Sequence, residues 1–233
     1  MVLVNAIHLE LPWAHPFDAS ATAPSSFTVS DTTQTTTVSA PFMNQQTNLP
    51  YVDDGQAQIV GLPLAQDGRL AVIVALPHMG VDLAAYEEAL TPSSLALALP
   101  SSISHVQLSL PKLQFTSGSF SLVPALEAMG MPVAFDPANA DFLGICSDLP
   151  PGVNLYIHDV LQETAVTMAE TRVQASAATA VVMFSIASSP PPPTPVPMVV
   201  NRPYFYSIVD APTGAVLFMG HVVDPTQTTP PGG

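Results

Sequence analysis

The sequence predicts a mixed α+β fold, dominated by large, mostly antiparallel sheets with a few short helices. Three observations carry this. Runs of β-branched, aromatic and apolar residues recur along the chain, punctuated by Gly, Pro, Asn and Asp. Helix start signals are brief and confined to the middle of the chain. Apolar residues make up 48% of 233, enough to build a large core.

Residues 2–11 (VLVNAIHLEL) are almost continuously apolar and read as a strand buried on both faces, ended by Trp13, His15 and Pro16. Ser26–Met43 is Ser/Thr-rich and supplies one or two half-exposed strands through Phe27, Val29, Val38 and Phe42. Gln56–Ala65 and Arg69–Leu76 form a hairpin around Asp67-Gly68. Asp82 N-caps a helix over Leu83–Leu90, with Val81 as a hydrophobic staple. Thr91-Pro92 opens a second short helix. His105–Phe115 returns to strand. Ser121 caps a third helix over Leu122–Met129, closed by Gly130. Tyr156–Met168 is a long strand.

Three segments end the chain. Glu170–Ala180 (ETRVQASAATA) is a run of small residues, and Ser188–Pro197 (SSPPPPTPVP) is a stiff polyproline spacer. Residues 200–225 then read as a hairpin, with Tyr204–Val209 and Ala215–Val223 joined at Asp210-Ala211-Pro212-Thr213-Gly214. Residues 228–233 are expected to be a disordered tail.

Composition limits the partners. The chain has four cationic side chains, Arg69, Lys112, Arg172 and Arg202, against 18 acids, for a net charge of −14. Nucleic acid and anionic membrane surfaces both need clustered Lys and Arg, so neither is expected as a partner. No apolar run reaches the length of a membrane span. Cys146 is the sole cysteine, and the six histidines show no i, i+4 pair, so no metal or cofactor is expected. Glu87 and Glu88 read as a solvated helix face, and no nucleophile elbow or phosphate loop is present. An enzyme is not expected.

Several motifs, in order, resemble one family. VLVNAIHLELPWAHPF (2–17) is similar to the third strand of the serpin central sheet and the tryptophan of the region where that sheet opens. SLPKLQF (109–115) resembles the serpin edge strand, and SFSLVPALEAMGMPVAF (119–135) the helix after it. VLQETAVTMAE (160–170) resembles the fifth strand leading to the reactive loop, and NRPYFYSI with AVLFMGHVVDP the terminal strands. The resemblance implies a partial serpin domain over 1–227, with the reactive loop at about 171–196 and the N-terminal helices and strands of the family missing. A fragment or a misplaced start is therefore expected, and any signal peptide would lie in the lost segment.

The resemblance also implies a function, that of a serine-type endopeptidase inhibitor acting as a suicide substrate. A target serine protease attacks the loop and forms an acyl-enzyme. The cut arm then inserts between two central strands before hydrolysis. The implied loop hinge is Glu170, Thr171, Arg172, Val173, Gln174, Ala175, Ser176, Ala177, Ala178, Thr179 and Ala180. Val173, Ala175, Ala177 and Thr179 alternate onto one face and are small or uncharged, as insertion requires. Insertion is expected to use a gap that receives Ala175 and Ala177.

Counting fourteen residues on from Arg172 puts the reactive bond at Ile186–Ala187, with Met183, Phe184 and Ser185 as alternatives, and a medium apolar residue there suits elastase- or subtilisin-like proteases. Arg172 replaces the family's usual hinge Gly, and Val173 its Thr or Ser, which motivates the alternatives of a non-inhibitory serpin-like binding protein or an inactive truncated fragment. In the sheet-opening region the resemblance places Gln162 where many serpins have a histidine bonded to the strand-3 asparagine, here Asn5, so that a Gln–Asn contact could replace that bond; Lys112 is expected to pair with Glu170, and Trp13 to be core. A monomer in an extracellular or cell-envelope setting is the remaining expectation.

Overall fold

The computed structural model describes residues 1–9, 12–30, 35–64, 69–91, 102–116, 118–146, 150, 153–170 and 194–227. The chain divides into two compact units, one of residues 1–9, 114–167 and 227–233, the other of 10–113 and 168–226.

The first unit is built on a small mixed sheet. Strand β1 (Val2–Leu9) runs parallel to β9 (Asp159–Met168), and β9 also pairs with β7 (Leu113–Thr116) and the short β8 (Phe120–Ser121). The β1–β9 register is continuous from Val2↔Asp159 to Leu9↔Val166. The expectation that β1 is buried on both faces fails. It is an edge strand with nothing paired on its outer side among the described residues, so Val2 and Val4 are 51% and 75% exposed.

Helix α2 (Val123–Ala128) is shorter than expected and begins after Leu122, not Ser121. Ser121 instead ends β8, where its hydroxyl donates to Asp159 Oδ1 (2.5 Å) and accepts from the Val123 amide. Gly130 closes the helix at φ +100°, a conformation that glycine adopts without strain.

The second unit holds an eight-stranded sheet. It comprises β2 (Ala23–Ser30), β3 (Thr35–Asp53), β4 (Ala57–Pro63), β5 (Leu70–Pro77), β6 (Ile103–Pro111), β10 (Val196–Val199), β11 (Tyr204–Asp210) and β12 (Ala215–Val222). Its order is β10-β6-β3-β4-β5-β11-β12, with β2 on β3. All pairs are antiparallel except β10–β6. Strand β3 is long enough to pair with β2 in its first part (Thr35–Phe42), with β6 from Phe42 to Pro50, and with β4 at its end (Tyr51–Asp53).

The core includes β5 and β11, every residue of which is buried or nearly so, and the buried Phe27, Phe42 and Met43 of β2 and β3, with Phe27 meeting Tyr204 of β11 edge to face. The His105–Phe115 run divides at Lys112, leaving β6 in this sheet and β7 in the other. Part of the polyproline spacer becomes strand: Val196–Val199 forms β10, because Pro195 and Pro197 remove donors only where no ladder bond is needed at a sheet edge. Asp82 caps α1 (Leu83–Glu88), accepting from the Ala85 amide at 3.1 Å. Glu87 is not merely solvated, since its Oε1 lies 2.9 Å from His221 Nδ1 on β12. The second short helix expected at Thr91-Pro92 and the Asp67-Gly68 turn lie outside the described residues.

Candidate functional site

The site is the corner where β9 ends. In the second unit, Ala169 and Glu170 follow the buried Met168 and are held from three directions. Trp13, 4% exposed, donates its indole Nε1–H to the Ala169 carbonyl at 2.7 Å. Its ring meets Phe17 edge to face, with centroids 5.7 Å apart. Lys112 Nζ lies 2.5 Å from Glu170 Oε2, and the hydroxyl of Thr22 donates to Glu170 Oε1. The carboxylate is thus satisfied on both oxygens while only 10% exposed.

Local sequence positions each partner. Lys112 stands at the break between β6 and β7, and its amide donates to the Pro41 carbonyl at 2.9 Å, which fixes the backbone there. Thr22 follows a 3-10 turn over Ala19–Ala21 that Asp18 caps through the Ser20 amide. Asn44 clamps that turn by donating to the Ala21 carbonyl, while its own Oδ1 accepts from Ser109. Burial pushes the Glu170 carboxyl up, but the hydrogen bonds from Lys112 and Thr22, with the Lys112 charge, outweigh it and hold the group below its ordinary value of 4.5. Glu170 is therefore an anion at neutral pH, fastened to a cation and a hydroxyl.

In the first unit, Asn5 Nδ2 donates to Gln162 Oε1 at 2.9 Å across the β1–β9 ladder. Gln162 Nε2 also reaches Thr164. The two strands are hydrogen-bonded to each other directly, so the expected gap between them is not present. Any arm entering there must break this ladder.

The structure therefore brings together Lys112 with Glu170, and Asn5 with Gln162, and places Trp13 against Ala169. The rest of the hinge, Thr171 to Ala180, and the Ile186–Ala187 bond lie outside the described residues. Sequence reasoning missed Thr22 and Asn44. The Asp18 cap signals the turn, but nothing local signals that Thr22 meets a carboxylate 148 residues away. Among the described residues there is no group of three potential metal ligands, and no helix is long and apolar enough to cross a membrane.

The chain belongs to the serpin family: the profile described as serpin (serine protease inhibitor) matches residues 1–225. It is 31% identical to human serpin B8 over 228 residues, covering 97% of this chain and 58% of that protein. It is likewise 31% identical to a serpin-like protein of Thermococcus kodakarensis, covering 97% of this chain and 50% of that one. The crystal structure of serpin-12 from Manduca sexta superposes with a TM-score of 0.80 at 22% identity, over 98% of this chain and 57% of that chain. The chain spans about half the length of the curated relatives it matches. The α+β fold is that of the family.

Proposed function

We propose that the protein acts outside the cytoplasm as a monomeric suicide-substrate inhibitor of a serine protease of the elastase or subtilisin type. The target's serine attacks the Ile186 carbonyl, an acyl ester forms, and the Ala187 amine leaves. Residues 171 to 186 then enter the sheet as a new strand before water hydrolyses the ester.

The observation that carries this reading is the direction of the seam. β1 and β9 are parallel. An arm that leaves the end of β9 and turns back between them runs antiparallel to β9, and therefore antiparallel to β1. One parallel ladder is exchanged for two antiparallel ones, which are the more stable kind per residue. The Glu170 anchor sits where the arm begins, so it governs the start of that exchange. Trp13, bonded to Ala169, is a built-in reporter of it.

The test is incubation of the chain with pancreatic elastase and with subtilisin, followed by a denaturing gel. A covalent band at the summed mass is expected. Cleaved chain with no such band, but with a raised thermal midpoint, would mean that the arm inserts too slowly to trap the protease. Slow insertion is the effect expected of Arg172 and Val173, whereas the non-inhibitory alternative predicts no thermal gain. Cleavage with neither band nor thermal gain would overturn the insertion mechanism.

A further inference from the structure

Both ends of the arm are fixed in the second unit, Glu170 before it and β10 after it. A cross-strand row lies between them. Asn44 on β3, Ser109 on β6 and Val199 on β10 are direct ladder partners. Direct partners project to one face of a sheet, so the side chains of Asn44 and Ser109 meet there, both half-buried.

Hydrogen bonds lead from one end of the arm to the other through this row. At the near end the Thr22 hydroxyl donates to Glu170 Oε1. The carbonyl of Ala21, one residue earlier, accepts from Asn44 Nδ2 at 2.8 Å. The same nitrogen donates to the Phe42 carbonyl at 3.1 Å, which fixes the plane of the amide. Asn44 Oδ1 accepts from the Ser109 hydroxyl at 2.7 Å. At the far end the Ser109 carbonyl accepts from the amide of Val200, the buried residue that follows β10, at 2.9 Å. A carboxamide suits the central position because it donates and accepts at once. A carboxylate of the same shape only accepts, and would set a negative oxygen against the Ala21 carbonyl. A main-chain bond from the Thr28 amide to the Asn201 carbonyl, 2.7 Å, also ties β2 to the segment after β10, but it does not pass through Asn44.

We infer that Asn44 is a positioning residue that couples the two ends of the arm, so that loosening the Glu170 anchor is felt at β10 and loosening β10 is felt at the anchor. That residues 171–196 form an arm open to a protease rests on the proposed function. The coupling itself is measurable without a protease.

The test is a double-mutant cycle read by hydrogen exchange of the Val200 amide. Thr22→Val, at the opposite end, is expected to speed that exchange about fivefold, the size of one neutral hydrogen bond. In Asn44→Ala the amide exchanges faster from the start, and adding Thr22→Val changes it by less than about twofold. Asn44→Asp keeps the acceptor for Ser109 and removes the donor to Ala21, and is expected to uncouple the ends in the same way. Coupling between two sites is mutual, so Ser109→Ala is expected to shift Trp13 emission in the parent and not in Asn44→Ala. Additive effects of Thr22→Val and Asn44→Ala, an equal acceleration of the β5 amides, or a Ser109→Ala emission shift that survives Asn44→Ala would each overturn the coupling. Incubation with subtilisin separates this result from the inhibition reading. A missing covalent band beside non-additive exchange sinks inhibition and leaves the coupling standing, and additive exchange beside a covalent band sinks the coupling alone.

Discussion

Replacing Lys112 by Met tests the anchor at the base of the arm. The substitution keeps the aliphatic stem and removes the ammonium, leaving Glu170 buried to 10% exposure with only the Thr22 hydroxyl. A hydrogen bond to a charged group contributes about 1.5–3 kcal/mol. Lys112 is itself 35% exposed, so solvent screening puts the loss near the lower end, about 1.5 kcal/mol. For a chain of this size that lowers the thermal midpoint by about 3–6 °C.

The pH dependence gives an independent sign. The folded carboxyl is held below its ordinary 4.5, so Glu170 contributes stability that is fully present above that value and is lost as pH falls through the folded one. Lys112→Met removes a leading cause of the shift. The acid limb of a midpoint-against-pH curve therefore becomes shallower, while Lys112→Arg preserves it. Melting is followed by circular dichroism, and the corner by Trp13 fluorescence, Trp13 being the only tryptophan in the chain. A midpoint equal to the parent's, with an acid limb equally steep, would refute the idea that this ion pair fastens the arm.

Further outcomes are expected elsewhere. Gly220→Ala places a methyl 3.1–3.2 Å from the Tyr206 ring, which is 7% exposed and cannot retreat, so a loss of about 1–3 kcal/mol in urea unfolding is expected. Gln162→Ala removes the side-chain bridge to Asn5 and is expected to speed hydrogen exchange of β1 amides, without changing exchange in β5 and β11 of the other unit. Thr22→Val removes one of the two Glu170 contacts and is expected to shift Trp13 emission in the same direction as Lys112→Met, by a smaller amount. Ala175→Glu with Ala177→Glu is expected to leave cleavage by elastase intact and to remove any rise in thermal midpoint after the cut, because a charge would be buried.

How much of this was legible beforehand depended on the range of the contacts involved. The hairpin Tyr204–Asp210/Ala215–Val222 and the Asp82 cap were readable because their signals are local: alternation, a turn with Gly214 at φ +70°, and a capping carboxylate. The motifs quoted for the family's opening region led to Asn5, Gln162, Trp13, Lys112 and Glu170, because each sits in a recognisable string. Exposure of β1 was not readable. A run such as VLVN is equally compatible with an inner strand and with an edge, and only the pairing partners decide. Thr22 and Asn44 were invisible for the same reason, as polar residues in a Ser/Thr-rich stretch that acquire meaning only through Glu170 and Ser109. The Val196–Val199 strand was hidden by its prolines, which count against a strand unless the strand lies at an edge.

The closed seam also bears on what drives insertion. Fixing one backbone residue costs about 1–2 kcal/mol in entropy, and one new ladder hydrogen bond contributes about 1 kcal/mol net. The two are of similar size, so hydrogen bonding alone cannot decide whether an arm enters, all the more because the β1–β9 ladder must first be broken along its length. The remaining contribution is side-chain burial, and it depends on the inward residues. Val173, Ala175, Ala177 and Thr179 are apolar or uncharged and small enough to be buried without overpacking the core beneath. On the mechanism proposed above, two local features would set its rate: the Lys112–Glu170–Thr22 anchor at the start of the arm, and Arg172, which has less backbone freedom than glycine. Loosening the anchor and restoring glycine at 172 should therefore act in the same direction, each raising the fraction of cleaved chain that gains thermal resistance.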